Sequence, residues 1–212
     1  MYSLVINGSK ATFYLMWILA LPLFLEMEAI LTLWLKEPPG YATSFTRLVL
    51  VESLILSISL PVLTAARAPG KMAVYESTLG ALQFSILLIS WLLLKADFGP
   101  KSVFYVAIVV NVIMFIVRLG LVNRLTGLPV IRYLEQTLIP VFGVAALSCA
   151  LSGLVAIWRP DGPLYLVTSV VTTLLITSLA IYWLGLPKEM RARLKAFMHG
   201  KLRIMKRLSW QF

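Results

Sequence analysis

The chain has 212 residues, of which 60% are hydrophobic and 13% charged, with a formal net charge of +10. Soluble domains average about 25% charged residues, so an ordinary water-soluble globule is excluded. A single cysteine, Cys149, excludes an intrachain disulfide framework, and a lone histidine, His199, gives no metal-ligand cluster.

A bilayer span needs roughly 20 mostly apolar residues to cross about 30 Å of hydrocarbon. Six segments qualify, at about 12–35, 42–64, 72–94, 103–122, 133–158 and 164–186. A transmembrane β-barrel would show short stretches of alternating polarity, and these runs do not alternate. The predicted class is an all-α, polytopic membrane helical bundle of six spans. The first eleven residues show no small-residue cleavage site after a short apolar core, so the first segment is read as a retained span.

The first span contains "FLEMEAIL", in which Glu26 and Glu28 interrupt the apolar run. Two residues apart on a helix they diverge by about 200°, so they cannot face one site. Folding the first span back on the second through "KEPPGY" levels Glu28 with Arg47 and Glu26 with Glu52. The expectation is a structural pair, Glu28 with Arg47, and two acids, Glu26 and Glu52, facing a hydrated interior as coupling candidates. Glu52 falls near the midplane of the second span, where an ionisable side chain is costly and points to function.

The third span carries Glu76, Gly80 and Gln83 on one face, and the fourth carries Asn111 and Arg118 seven apart on one face. Such stripes can line a polar path. They also have structural readings: Glu76 complements a helix N-terminus, Arg118 snorkels, and Gln83 and Asn111 bond between helices. Cys149, inside the fifth span, reads as a small buried hydrophobe. Proline and glycine in "KEPPGY", "RAPGK", "DFGPKS" and "RPDGP" end each helix, and such short connections make consecutive spans antiparallel neighbours. The longest connection, about 123–132, divides the chain into four spans at 1–132, a trailing pair at 133–186 and a tail at 187–212.

With six spans, one side holds Lys10, Arg67, Lys71, Arg118, Arg124, Arg132 and the basic residues after Pro187. The other holds Lys36, Lys95, Lys101 and Arg159. The side richer in Lys and Arg is cytoplasmic, so both termini are expected there. In the tail, Met190, Leu194 and Phe197 recur at helical spacing among Lys and Arg. That pattern suits a helix on an anionic leaflet, each cation contributing about 1 kcal/mol, better than a nucleic-acid site. No hydrolase elbow, zinc signature or phosphate-binding glycine loop occurs, so no catalytic residues, cofactor or metal are assigned and an enzyme is not expected.

Pro22 and its following acids, the "LTLWL" exit with two prolines after it, Arg47 at the start of the next span and the "TAARAPGK" turn resemble the bacterial polysaccharide and O-antigen flippases. These belong to the multidrug/oligosaccharidyl-lipid/polysaccharide exporter superfamily. The resemblance covers nearly the whole chain, through the order and spacing of the motifs. It implies the later part of the second lobe of a two-lobe exporter followed by a trailing helix pair, the chain being a fragment, a truncated gene product or one piece of a split transporter that lacks the first lobe. The implied cargo is an undecaprenyl-pyrophosphate-linked oligosaccharide for lipopolysaccharide or capsule, moved across the bacterial inner membrane. Arg47 and Arg118 would meet phosphate charge, and Glu52 and Glu76 would serve cation or proton coupling. The alternatives are a non-transporting scaffold of a glycan-assembly machine and a membrane-embedded glycosyl- or acyltransferase.

The orientation has a direct check by impermeant thiol labelling in a Cys149→Ser background. Cysteines introduced at Gly40 and Gly162 label from outside and one at Gly200 does not. The reverse pattern overturns the orientation.

Overall fold

The computed structural model describes residues 2–67, 70, 72–157, 165–186 and 191, and every regular element among them is helical. α1 is Tyr2–Leu25, α2 Met27–Leu35, α3 Ala42–Arg67, α4 Ala73–Lys95 and α5 Ser102–Thr126. α6, Val130–Tyr133, passes through a π-helical turn at Leu134–Leu138 into α7, Ile139–Ile157; α8, Tyr165–Ala180, ends in a second π turn at Ile181–Gly185. The first π turn lies just before Pro140, whose missing N–H and bulky ring disturb the turn that precedes it. Among the described residues, six helices are long and apolar enough to cross a membrane: α1, α3, α4, α5, the continuous run Val130–Val155, and Tyr165–Gly185. This is the all-α multi-pass bundle that composition predicted.

Two boundaries differ from expectation. The first spanning helix begins at Tyr2, because Val5, Ile6 and Ser9 are buried and continue its packed face toward the N-terminus. Its 24 residues extend about 36 Å at 1.5 Å per residue. Glu26 therefore sits at the end of a full-length span rather than just beyond its middle. The connection before the fifth span shrinks to residues 127–129. Gly127, at φ +73°, ends α5 in the left-handed conformation, with its N–H donating to Asn123 O at 2.8 Å. Asn123 Nδ2 donates to Leu128 O at 2.6 Å, and the Tyr2 hydroxyl donates to Thr126 O at 2.8 Å, tying the start of α1 to the end of α5.

Consecutive spans are not all neighbours. α4 packs on α5, α5 on α3, α3 on α1 and α1 on α8, with α7 beside α8. α5 thus stands between α3 and the wall's outermost member, α4. The trailing pair is joined to the first four spans through α1, not set apart from them. One apolar cluster fills the α1–α3–α4–α5 side, with Val62, Ala66, Val122, Leu128 and Tyr133 almost fully enclosed. A second joins Phe13, Tyr14 and Ile58 to Val141, Val144, Ala180 and Ile181.

Close approach is secured by small residues. A Cβ on Gly8 would meet the Pro61 ring at 3.3 Å, and one on Gly185 would meet the buried Tyr14 ring at 2.8 Å. Along α8, Ser169, Thr173 and Thr177 recur every fourth residue and are completely buried. Ser148 and Ser152 do the same on α7, where Trp17 Nε1 donates to Ser148 Oγ at 2.9 Å. In lipid, where hydrophobicity does not separate helix from solvent, small residues and interhelical hydrogen bonds provide the attraction. Cys149 is exposed on the bundle surface, not buried as expected, because the α7 register turns Ser148 inward. The tail reading, with Met190, Leu194, Phe197 and His199, lies outside the described residues.

Candidate binding cleft

α1 stops at Leu25 and α2 starts at Met27, and the residue between them, Glu26, has φ −97° and ψ 17°. The bend is tight: Glu26 N–H donates to Pro22 O at 3.0 Å and Ile30 N–H donates to Glu26 O at 2.9 Å. It turns the Glu26 carboxylate into the bundle, where only 7% of the residue remains exposed. There it accepts hydrogen bonds from Ser169 Oγ and, at 3.5 Å, from the Tyr165 hydroxyl, both on α8. Hydrogen-bonding the carboxylate offsets part of the cost of enclosing it.

The same bend leaves carbonyls at the end of α1 without helical partners. Arg47 Nε donates to one of them, Phe24 O, at 3.1 Å, and its guanidinium stands 5.5 Å from the Phe24 ring centroid. The expected Glu28–Arg47 ion pair is therefore not formed. Glu28 is exposed, and the one ion pair among the described residues is Arg67–Glu76 at 3.8 Å. The exposed Arg67–Glu76 contact closes the α3–α4 turn and contributes little to stability.

Between α2, the start of α3 and the start of α8 lies a cleft of about 1000 Å³, lined by Glu26, Glu28, Lys36, Arg47 and Tyr165 together with Leu25, Ala29, Thr32, Leu33, Leu166 and Val167. Among the described residues, two cations and two acids share its walls. Lys36 is the C-cap of α2 at φ +60°, a conformation uncommon outside glycine, and this projects it from the helix end. Such a lining suits a polar ligand with both anionic and hydroxyl groups: guanidinium and ammonium meet phosphate, and carboxylates accept from hydroxyls. Among the described residues no group of three or more His, Cys, Asp or Glu could hold a metal ion.

The remaining predicted residues do not join this cleft. Glu52 turns to α5, where Asn111 Nδ2 donates to its Oε1 at 2.9 Å and to Ala107 O at 2.9 Å. Glu26 and Glu52 thus serve different helix contacts, α8 and α5, and do not form the facing pair of acids expected. The expectation placed them at one level, but the α1–α3 register, with Thr12 at Ser57 and Phe24 at Arg47, sets Glu52 level with about Ile18, roughly 12 Å along the helix from Glu26. Arg118 is buried, with Nη1 donating to Ser59 O at 3.4 Å and Nε without a hydrogen bond. Glu76, Gly80 and Gln83 lie together on the exposed side of α4, away from buried Asn111 and Arg118. Sequence reading passed over Tyr165 and Ser169, although the Ser169-Thr173-Thr177 spacing marks one face of α8.

An apolar groove of about 520 Å³ lies elsewhere, between α3, α5 and the α6–α7 run, lined by Ile55, Val112, Phe115, Leu134 and Phe142 among others. No family model, curated protein or solved structure matches the chain. Fold and cleft together define a polytopic helical membrane protein with a charged recess at one end of the bundle.

Replacing Asn111 by Ala removes a donor from the half-buried Glu52 carboxylate and should lower unfolding stability by about 1–3 kcal/mol. Glu52→Gln, which can still accept from Asn111, should cost under half of that. An Asn111→Ala variant that melts like the unsubstituted protein would mean that the contact carries no stability.

Proposed function

We propose that the chain is part of a transporter that moves an undecaprenyl-pyrophosphate-linked oligosaccharide across the bacterial inner membrane, with both termini cytoplasmic. The observation that carries this reading is the charged cleft at the α2–α3 end, which this topology puts at the periplasmic face. A lipid-linked sugar presents a pyrophosphate and a hydroxylated head group while its chain stays in hydrocarbon. Arg47 and Lys36 offer cations to the pyrophosphate, Glu28 offers an acceptor to sugar hydroxyls, and the Tyr165 ring offers an apolar surface. The α1–α2 bend and the Glu26 contact with α8 fix the cleft walls relative to each other. Glu52 and Arg118 hold helices together in this reading instead of touching cargo. Alternating access also requires a second lobe facing this one.

Binding to purified chain in nanodiscs tests the reading. An undecaprenyl-pyrophosphoryl sugar should bind more tightly than phosphate-free polyprenol, and Arg47→Gln and Lys36→Gln should each weaken it about tenfold or more, the worth of a charge-assisted hydrogen bond. Equal binding of the two lipids, or no effect of either substitution in a folded protein, would contradict it.

A further inference from the structure

α4 is the least enclosed of the six spanning helices and packs along one side only, with Tyr75, Leu79 and Ser90 turned to the bundle. Beside that packed stripe, about 100° round the helix, Ala73, Glu76, Gly80, Gln83, Leu87 and Trp91 are all exposed and recur at helical spacing. Gln83 is the eleventh of the 23 residues of α4, so its amide projects near mid-membrane. An amide facing hydrocarbon without a partner costs a few kcal/mol. Exposed hydroxyls deep in other spans avoid this by bonding to their own helix, as Thr172 does to Thr168 O at 2.8 Å. The Gln83 amide makes no such bond.

We propose that this face of α4 is where a second copy of the chain docks, with the Gln83 amides paired across the interface. Two copies inserted in the same orientation relate by a two-fold axis along the membrane normal, which sets residues of equal depth against each other. An amide both donates and accepts, so Gln83 is its own complement under that symmetry. One turn away, a Cβ on Gly80 would meet nothing within 4 Å, leaving room for close helix approach. Glu76 on the same face is already paired with Arg67, so dimerisation does not set bare like charges together. The inference does not depend on what the protein transports.

Two measurements on the full chain in lipid vesicles test it. In a Cys149→Ser background, Leu87→Cys should cross-link into a dimer, whereas Leu175→Cys on the apolar face of α8 should not. Energy transfer between labelled copies, followed as lipid dilutes them, should show dissociation 3- to 30-fold more favourable in Gln83→Leu, with Gln83→Asn closer to wild type. The leucine variant suits the lipid phase, so loss of pairing is separable from misfolding. A monomer at every dilution, cross-linking only to a different chain, or unchanged association in Gln83→Leu would each overturn the proposal.

Discussion

The missing N–H of Pro61 organises the contact on which the rest of the bundle is built. Within α3 that proline cannot bond to the carbonyl of Ser57, four residues earlier, and a free carbonyl inside a membrane protein must find a donor. The donor comes from α1: Thr12 Oγ1 stands 2.7 Å from Ser57 O, closer than to the carbonyls of Gly8 or Ser9 on its own helix. One residue along, Ile58 O accepts from Ser9 Oγ at 3.0 Å and from the Tyr133 hydroxyl at 3.4 Å; that hydroxyl also lies 2.9 Å from Ser9 Oγ. Gly8 lets the Pro61 ring approach. The α1–α3 seam is therefore held by backbone carbonyls exposed at a helix defect, and Tyr133 brings the fifth span to the same point.

That seam gives α1 its position at the centre of the chain. On one side α3 and α5 extend the wall to α4; on the other α7 and α8 pack against Phe13, Tyr14 and Trp17. The far end of α1 then delivers Glu26 to Ser169 and the Phe24 carbonyl to Arg47, and the cleft forms where these contacts diverge. At the cleft the α1–α8 contact is made by hydroxyls and one carboxylate, and toward the other end of α8 it continues as the apolar cluster of Phe13, Tyr14, Ala180 and Ile181.

Fold class was legible because long apolar runs and short Pro- and Gly-bearing connections act locally, and six spans follow from them directly. The sequence also singled out Glu26, Glu52, Asn111 and Arg118 as polar side chains within apolar runs. What it could not supply was the register between helices. The α1–α3 contacts set Glu52 deeper than Glu26, and the packing of α5 against α3 brings Asn111 to it. The Glu28–Arg47 expectation failed because the bend at Glu26 frees the Phe24 carbonyl, which Arg47 Nε takes as its acceptor. Hydroxyl stripes on α7 and α8 were present as four-residue spacings, but serine and threonine are common in membrane helices and their partners lie over a hundred residues away.

The most direct measurement is a double-mutant cycle between Thr12 and Pro61, read as unfolding free energy in a fixed lipid or detergent environment. Thr12→Val alone should cost about 1–2 kcal/mol by depriving the Ser57 carbonyl of its donor. In a Pro61→Ala background the helix supplies its own N–H to that carbonyl, and the same Thr12→Val change should cost close to nothing, giving a coupling of about 1 kcal/mol or more. An equal cost in both backgrounds would contradict the account that the proline defect in α3 is what fastens it to α1.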